Sequence, residues 1–340
     1  MQATPQSAKF ISPGQRLIWL VAAAIDLYAL SLVLLLAANL FAGERFNVIA
    51  IINNVLHLPL LLSPLVLVIA LPLRRFRAIV LLLVSLGFTV NHYLPNFLPR
   101  TLPTPEGRVV SIYTHNILAR FEPDTTYATE IEIIRNADAD IVLIQEMGFR
   151  TAAEFAARLG DVYPHRALHP QPWANSGQGA FSKYPILEDE FWHLDDYIHL
   201  GHQRMVIDID GTSVIVYNIH PLHPGMVNMD VSKRTEDVQT VIDRVAADPP
   251  DMPAIIAGDF NLTDLTADYR SFRRTGFRDV HRDVGRGFGF TFPATDPVQL
   301  LRLDYVFYND YWTPLTSQVI RQAGQSDHYP LLVTLELNAP

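Results

Sequence analysis

Six short apolar runs in the second two-thirds of this chain carry an acid, an amide or an imidazole at one end. "RVVSIYTHNILAR" reaches His115 and Asn116, "IVLIQE" ends in Gln145 and Glu146, "SVIVYNIHP" in Asn218 and His220, and "AIIAGDFN" in Asp259 and Asn261. "RLDYVFYN" opens on Asp304, and "QSDHYPLLVTL" puts Asp327 and His328 in the turn that feeds the last run. Taken singly, Asn116, His220 or Asp304 reads equally well as a turn former or a cap. As a set they fit one task. Glu, Asn and Asp offer hard oxygens suited to magnesium, with manganese as the alternative. Two histidines and an orienting aspartate supply the charge and the proton handling that phosphoryl chemistry requires. The combination points to metal-assisted hydrolysis of a phosphoester.

The elements that must hold these groups read as a doubled pattern. After the first run, "DTTYATEIEIIRNADAD" has an Asp or Thr at its start and apolar residues at Ala128, Ile131 and Ile134, one face of a helix. After the third, "VSKRTEDVQTVIDRVAA" repeats this with Val238, Val241, Ile242 and Val245. Strand with a polar tip, helix, strand with an acidic tip, twice over, predicts two similar α/β layers whose strand ends converge on one cleft. There is no Gly-rich phosphate loop of the Walker or dinucleotide type and no Gly-x-Ser-x-Gly elbow.

Composition divides the 340 residues near position 100. Residues 1–100 hold seven Lys or Arg and only Asp26 and Glu44 as acids, leaving 19 basic and 33 acidic residues beyond, a net charge of −14. A domain so acidic repels a polyanion, which counts against nucleic acid as a partner and favours small or membrane-presented phosphates. With no cysteine, disulfides, zinc-thiolate sites and thiol nucleophiles are excluded. Three apolar stretches, about 17–41, 48–73 and 78–98, predict three transmembrane helices in a membrane domain covering residues 1–100. A Pro-rich linker at 101–107 and a catalytic domain at 108–340 follow. Lys9 and Arg16 would share a side with Arg74, Arg75 and Arg77, so the positive-inside rule makes that side the cytoplasm and places the catalytic domain outside the cytoplasmic membrane. Asp26, in the first span, is read either as a functional site lining a polar cavity with Asn53, Asn54 and His57, or as one of several polar groups gluing helices together.

The motifs "THNIL", "IVLIQE", "YNIHPLHP", "AGDFN", "RLDYVF" and "QSDHYP", with "GQGAFSKYPI" between the second and third, stand in the order seen in the endonuclease/exonuclease/phosphatase superfamily. From Arg108 to Glu336 the chain resembles that superfamily, whose fold is the two-sheet α/β sandwich of pancreatic deoxyribonuclease with helices outside. The resemblance implies that Asn116 and Glu146 hold the metal, with Asp327 as a third or water-bridged ligand. Asp259 would orient or deprotonate the attacking water, while Asn261 and His220 contact phosphoryl oxygens. Asp304 would fix and charge His328, which acts either as base or as phosphate-neutralising acid.

The superfamily includes nucleases, sphingomyelinases, inositol-phosphate phosphatases and membrane phosphatases, so fold alone does not choose a substrate. "GDFNLTD" departs from the Asn-Tyr-Arg run of the inositol-phosphatase branch. The basic segment "RSFRRTGFRDVHR" (Arg270 to Arg282) is read either as a solvated face or as an anion clamp beside the cleft. Three spans with an outward catalytic domain resemble the bacterial membrane members linked to teicoplanin resistance and to isoprenyl pyrophosphate hydrolysis. The expected partner is therefore a lipid-linked phosphate, pyrophosphate or phosphodiester. A membrane-tethered nuclease and a non-catalytic scaffold of the same fold are the alternatives.

Overall fold

Period-two alternation builds the core. In the strands β1 (Arg108–Asn116) and β2 (Ile141–Gln145), Val110, Ile112, Ile141 and Leu143 face one side, while Tyr113, Val142 and Ile144 face the other. The first set meets Val214, Val216, Ile255 and Ala257 of a second sheet; the second set packs under helices. Both faces of each central strand are thus buried, which is why these runs are almost continuously apolar.

The computed structural model describes residues 12–44, 46–118, 126–172, 176–195, 198–223 and 231–338. Lys9, Arg45, Asp124, Thr125, the end of the "RVVSIYTHNILAR" run and Pro224, all used in the expectations above, lie outside them. By its contacts the chain forms two units, one reaching to Ala42 and resuming at Leu56–His92, the other made of Gly43–Val55 with Tyr93 onward.

The first unit carries α1 (Pro13–Ala37, prolonged by a π-turn to Ala42) and, after the α2 helix (Asn47–Val55) of the other unit, α3 (His57–Ala70) and α4 (Phe76–Tyr93). Two helices are long and apolar enough to cross a membrane, Pro13–Ala42 and Phe76–Phe97. The second predicted span is not a continuous helix: α2 and α3 meet at a bend of 62°. Pro59 has no N–H for the Val55 carbonyl four residues back and its ring crowds that carbonyl, so the helix breaks there. Hydropathy is blind to such a break. Asp26 pairs with Arg75, whose Nε lies 3.1 Å from Asp26 Oδ1, while Asn53 and Asn54 belong to the other unit.

The second unit is a sandwich of two mixed six-stranded sheets. After β1 come α5 (Ala128–Ala137), β2, α6 (Phe149–Leu159), β3 (His165–His169), β4 (Gln178–Ser182), β5 (Ile186–Asp195), β6 (Ile198–Ile209) and β7 (Thr212–Ile219). Then follow α7 (Val231–Ala247), β8 (Ala254–Asp259), α8 (Ala267–Arg274), β9 (Arg278–Asp279), α9 (Val280–Val284), β10 (Asp304–Tyr308), β11 (Trp312–Val319) and β12 (Leu331–Leu337). The sheet orders are β11-β12-β1-β2-β4-β3 and β5-β6-β7-β8-β10-β9. Each sheet has one parallel pair at its centre, β1 with β2 and β7 with β8. Their crossovers contain α5 and α7, as the doubled pattern requires. The helix predicted after the first run starts at Ala128, whose N–H donates to Thr126 Oγ1.

Candidate active site

The inward row of each central strand turns from apolar to polar in its last residues. In β1 the row Val110, Ile112 continues as Thr114 and Asn116; in β2, Leu143 is followed by Gln145; in β7, Val216 by Asn218 and then His220; in β8, Ala257 by Asp259. Strand β10 enters from the opposite direction, so its first residue, Asp304, is the one at this end. Gln145 Nε2 donates to Asn218 Oδ1 at 2.7 Å and to Thr114 Oγ1 at 3.0 Å, stitching the two sheets just below the site. Period two therefore delivers four predicted residues, Asn116, His220, Asp259 and Asp304, into the same gap between the sheets.

Backbone strain aims the others. Glu146, immediately after β2, has φ 60°, Asn261 φ 51° and Leu118 φ 47°. The left-handed region costs a non-glycine residue on the order of 1 kcal/mol or more, and three such residues line one cavity. Gly258, with φ 142°, lets β8 lie against β7: a Cβ there would stand 2.0 Å from the Ile219 carbonyl oxygen.

The cavity, of about 420 Å³, is lined by all eight predicted site residues except Asp304, which lies beneath His328. Asn116 Nδ2 donates to Glu146 Oε1 and to Asp259 Oδ2, both at 3.0 Å, while its Oδ1 accepts the Leu118 N–H. Asp259 Oδ1 takes the Asn261 N–H at 2.9 Å, and Asp259 Oδ2 faces the Nε2 atoms of His220 and His328, each at 3.6 Å. Asn261 Nδ2 donates to the Pro221 carbonyl. His328 Nδ1 is 2.9 Å from Asp304 Oδ2.

Electrostatics separates the two histidines. Burial alone would lower the His328 pKa, but Asp304, Asp259 and Asp327 outweigh it and raise the value to about 10, so this imidazole is cationic at neutral pH. Burial lowers His220 to about 4, despite Asp259, and keeps it neutral. Of the two roles expected of His328, the cationic acid is the one this setting favours. Burial also raises Glu146 to about 7, against the Asn116 hydrogen bond and His328, with Asp259 and Asp327 adding to the rise.

The acid and imidazole groups fit a divalent cation. Ligand atoms of Asp259, Asp304 and His328 lie within 4.8 Å of one another. Both ring nitrogens of His328, however, face carboxylates, as in an imidazolium bridging two anions, which leaves neither nitrogen a free lone pair for a metal. Glu146 and Asp327 are better placed by chemistry. They are hard oxygen donors in a crowded acidic pocket whose surplus negative charge a cation would relieve. As it stands, Asn116 offers its NH2 to Glu146 and Asp259 and gives its carbonyl oxygen to the Leu118 N–H, so it orients Glu146.

Two supports lie outside the predicted site residues. His202 Nε2 donates to Asp237 Oδ1 at 2.8 Å, both residues wholly buried, so its Nδ1 accepts the His220 N–H, while Asp237 Oδ2 accepts the Leu222 N–H. The loop is thus pinned on both sides of Pro221. His115, held neutral by a burial-lowered pKa of about 3, accepts a hydrogen bond from the Tyr113 hydroxyl at Nδ1 and donates from Nε2 to the His328 carbonyl. The segment Arg270–Arg282 does not form an anion clamp. Arg270 bonds the Leu265 carbonyl, Arg278 lies over Tyr308, Arg282 faces Asp264, and no Arg or Lys lines the cavity among the described residues.

Comparison with known proteins agrees with this architecture. No curated protein sequence is significantly similar to the chain. The endonuclease/exonuclease/phosphatase from Bacteroides vulgatus is 19% identical, with a TM-score of 0.58 over 68% of this chain and 100% of its own. A mannosyl-6-phosphatase of Bacteroides thetaiotaomicron is 18% identical, with a TM-score of 0.55 over 66% and 99%. A humanized TDP2 of D. rerio is 19% identical, with a TM-score of 0.56 over 67% and 99%. At these identities the likeness is one of fold. The model of the Endonuclease/Exonuclease/phosphatase family matches residues 113–328, more than half of the sequence and every predicted site residue. The chain belongs to the endonuclease/exonuclease/phosphatase family.

Proposed function

We propose that this chain is a divalent-metal-dependent phosphohydrolase, anchored by three membrane crossings, that cleaves a lipid-borne phosphate, pyrophosphate or phosphodiester at the outer face of the cytoplasmic membrane. The observation that carries this reading is the make-up of the cavity. Its polar residues gather around Asp259, and the remainder of its lining includes Leu118, Leu200, Phe292, Leu301 and Leu303. A polyanion needs a basic groove; a phosphate on an apolar chain needs a polar end and a greasy wall.

Three crossings are favoured by the make-up of the catalytic unit. Gly43–Val55 folds with it, as does everything from Tyr93 onward, so both ends of Leu56–His92 lie on one side of a bilayer. That stretch crosses an even number of times. With Phe76–Phe97, long and apolar enough to cross, taken as one crossing, α3 is the other, and α1 makes the third. Fourteen residues of α3 rise only about 21 Å, and the turn to Arg74 with local thinning of the bilayer supplies the rest. Arg16 then shares the cytoplasmic side with Arg74, Arg75 and Arg77.

In the reaction, Asp259 accepts the proton of the attacking water, held in register by the Asn116 amide and the Asn261 N–H. Neutral His220 and the Asn261 side chain bind phosphoryl oxygens, and His328 with Asp304 beneath it presents a fixed positive charge to the developing anion. Glu146 and Asp327, with Asn116 orienting the former, would hold the metal, which when bound adds Lewis-acid stabilisation of the transition-state charge.

The test is release of inorganic phosphate from a long-chain isoprenyl pyrophosphate by the purified full-length protein in detergent. Release that depends on magnesium, stops with EDTA and is lost in Asp259→Ala is expected. Magnesium-independent release, or release surviving Asp259→Ala, sinks the assignment. Plasmid nicking without lipid turnover would select the nuclease alternative, and no metal-dependent turnover of either would select the scaffold.

A further inference from the structure

Gly43–Val55 precedes the family-matched region by more than fifty residues, yet it folds with the catalytic residues. Its attachment is ionic and buried. Arg234 of α7, 1% exposed, donates from Nη2 to Glu44 Oε2 at 2.8 Å and from Nε to Asp268 Oδ2 at 2.9 Å. Glu44 Oε1 accepts the N–H of Ala267, the first residue of α8, at 3.1 Å. Asn53 follows suit, its carbonyl accepting from Thr263 Oγ1 at 3.3 Å. Removing either partner would leave the other charge buried and unpaired, so these contacts fix where the segment leading into α2 attaches. The next residue, Asn54, lines the catalytic cavity together with His220, Asp259 and His328.

We infer that α2 is a wall of the active site and that Asn54 is a specificity-determining residue, seating the polar part of the leaving group next to the phosphoryl being transferred. This rests on the phosphohydrolase reading above. The chemistry follows from the residue types. The groups around Asp259 serve the scissile phosphoryl, and the leucines accept what is apolar beyond it. The Asn54 Oδ1 faces Arg234 Nη1 at 3.5 Å and its NH2 spends one N–H on the Ala50 carbonyl at 3.1 Å, which leaves the second N–H to donate to a ligand oxygen. A leaving group that is itself a phosphate or a phosphate ester presents the oxygens such an amide binds. Placing this residue on a segment fixed by Glu44 and Arg234 makes the cavity complete only in the full chain.

Because the chain contains no cysteine, Asn54→Cys creates a single thiol in the full-length protein. Its rate of maleimide modification is measured in detergent with magnesium, alone and with pyrophosphate or orthophosphate at concentrations that saturate the wild type by calorimetry. Asp310→Cys, at a side chain 90% exposed, serves as control. Pyrophosphate is expected to slow modification at position 54 at least tenfold, orthophosphate much less, and neither to affect position 310. In parallel, Asn54→Ala should weaken pyrophosphate binding about tenfold. Pyrophosphate binding with no protection at 54 and no loss of affinity in Asn54→Ala overturns the inference while leaving the phosphohydrolase reading intact. Failure of the wild type to bind pyrophosphate at all removes that reading, and the inference with it.

Discussion

At the scale of single residues, the site is a set of side chains whose partners decide their charge. Asp304 touches no solvent to speak of and has one clear task, accepting a hydrogen bond from His328 Nδ1. Asp304→Asn preserves shape but removes the negative charge that keeps the imidazole protonated. We expect kcat on any accepted phosphate substrate to fall on the order of 10²-fold or more, the usual scale for a disabled acid–base group. Unfolding temperature measured beside the kinetics should stay within a few degrees, and an unchanged kcat would show that His328 works without this partner. The pair was legible in the sequence because both residues sit at strand ends that converge. The supports were not. His202 and Asp237 lie 35 positions apart on a strand and a helix, and nothing in either local pattern says that one imidazole links the His220 amide to a buried carboxylate. Asn54 was legible as a polar group but in the wrong company: hydropathy assigns its stretch to a membrane beside Asp26, whereas it lines the cavity around Asp259.

At the scale of elements, alternation and helical periodicity revealed the two β-α-β units, since each strand is buried on both faces and each helix on one. The flanking strands β3 to β6 and β11 carried weaker patterns, and the break between α2 and α3 lies where Asn53, Asn54, His57 and Pro59 interrupt a stretch whose average hydropathy still reads as one span. His281 shows how an element junction stores a pH response. It lies on α9, 4% exposed, with Ser317 of β11 3.1 Å from Nδ1 and the Gly287 carbonyl 3.2 Å from Nε2. Burial and the nearby Arg302 lower its pKa to about 4, against Asp279, Gly287 and Asp264. An unfolded histidine titrates near 6.5, so below that pH the unfolded chain takes up a proton that the folded chain refuses. The stability from this group is complete above about 6.5 and is lost as pH falls toward 4, by up to ~3 kcal/mol. In urea unfolding of the detergent-solubilised protein between pH 7 and 4.5, His281→Gln should lose stability less steeply than the parent, whatever its absolute stability. Parallel profiles would mean that His281 is not the group responsible.

For the whole molecule, the proposed three crossings rest on two independent features: the charge asymmetry read from composition, which sets their direction, and the grouping of contacts, which bears on their number alone. Under the proposal the arginines between α3 and α4 face the cytoplasm, and Leu56–His92, flanked at both ends by segments of the catalytic unit, returns to the side it left. Neither feature depends on the length of α3, the weakest of the three apolar segments. A protein without cysteine allows both to be checked by position. In spheroplasts, a membrane-impermeant maleimide should label Asp310→Cys directly and Arg77→Cys only after lysis. If both positions react from the same side, the stretch ending at Tyr93 does not cross as described, and α3 is a re-entrant segment. If the two swap, the three crossings stand but the active site faces the cytoplasm, and its lipid substrate must be sought in the inner leaflet. The expected pattern puts the catalytic unit, and with it Asp259, on the outer side, where an amphiphilic phosphate of the outer leaflet would be the substrate to test.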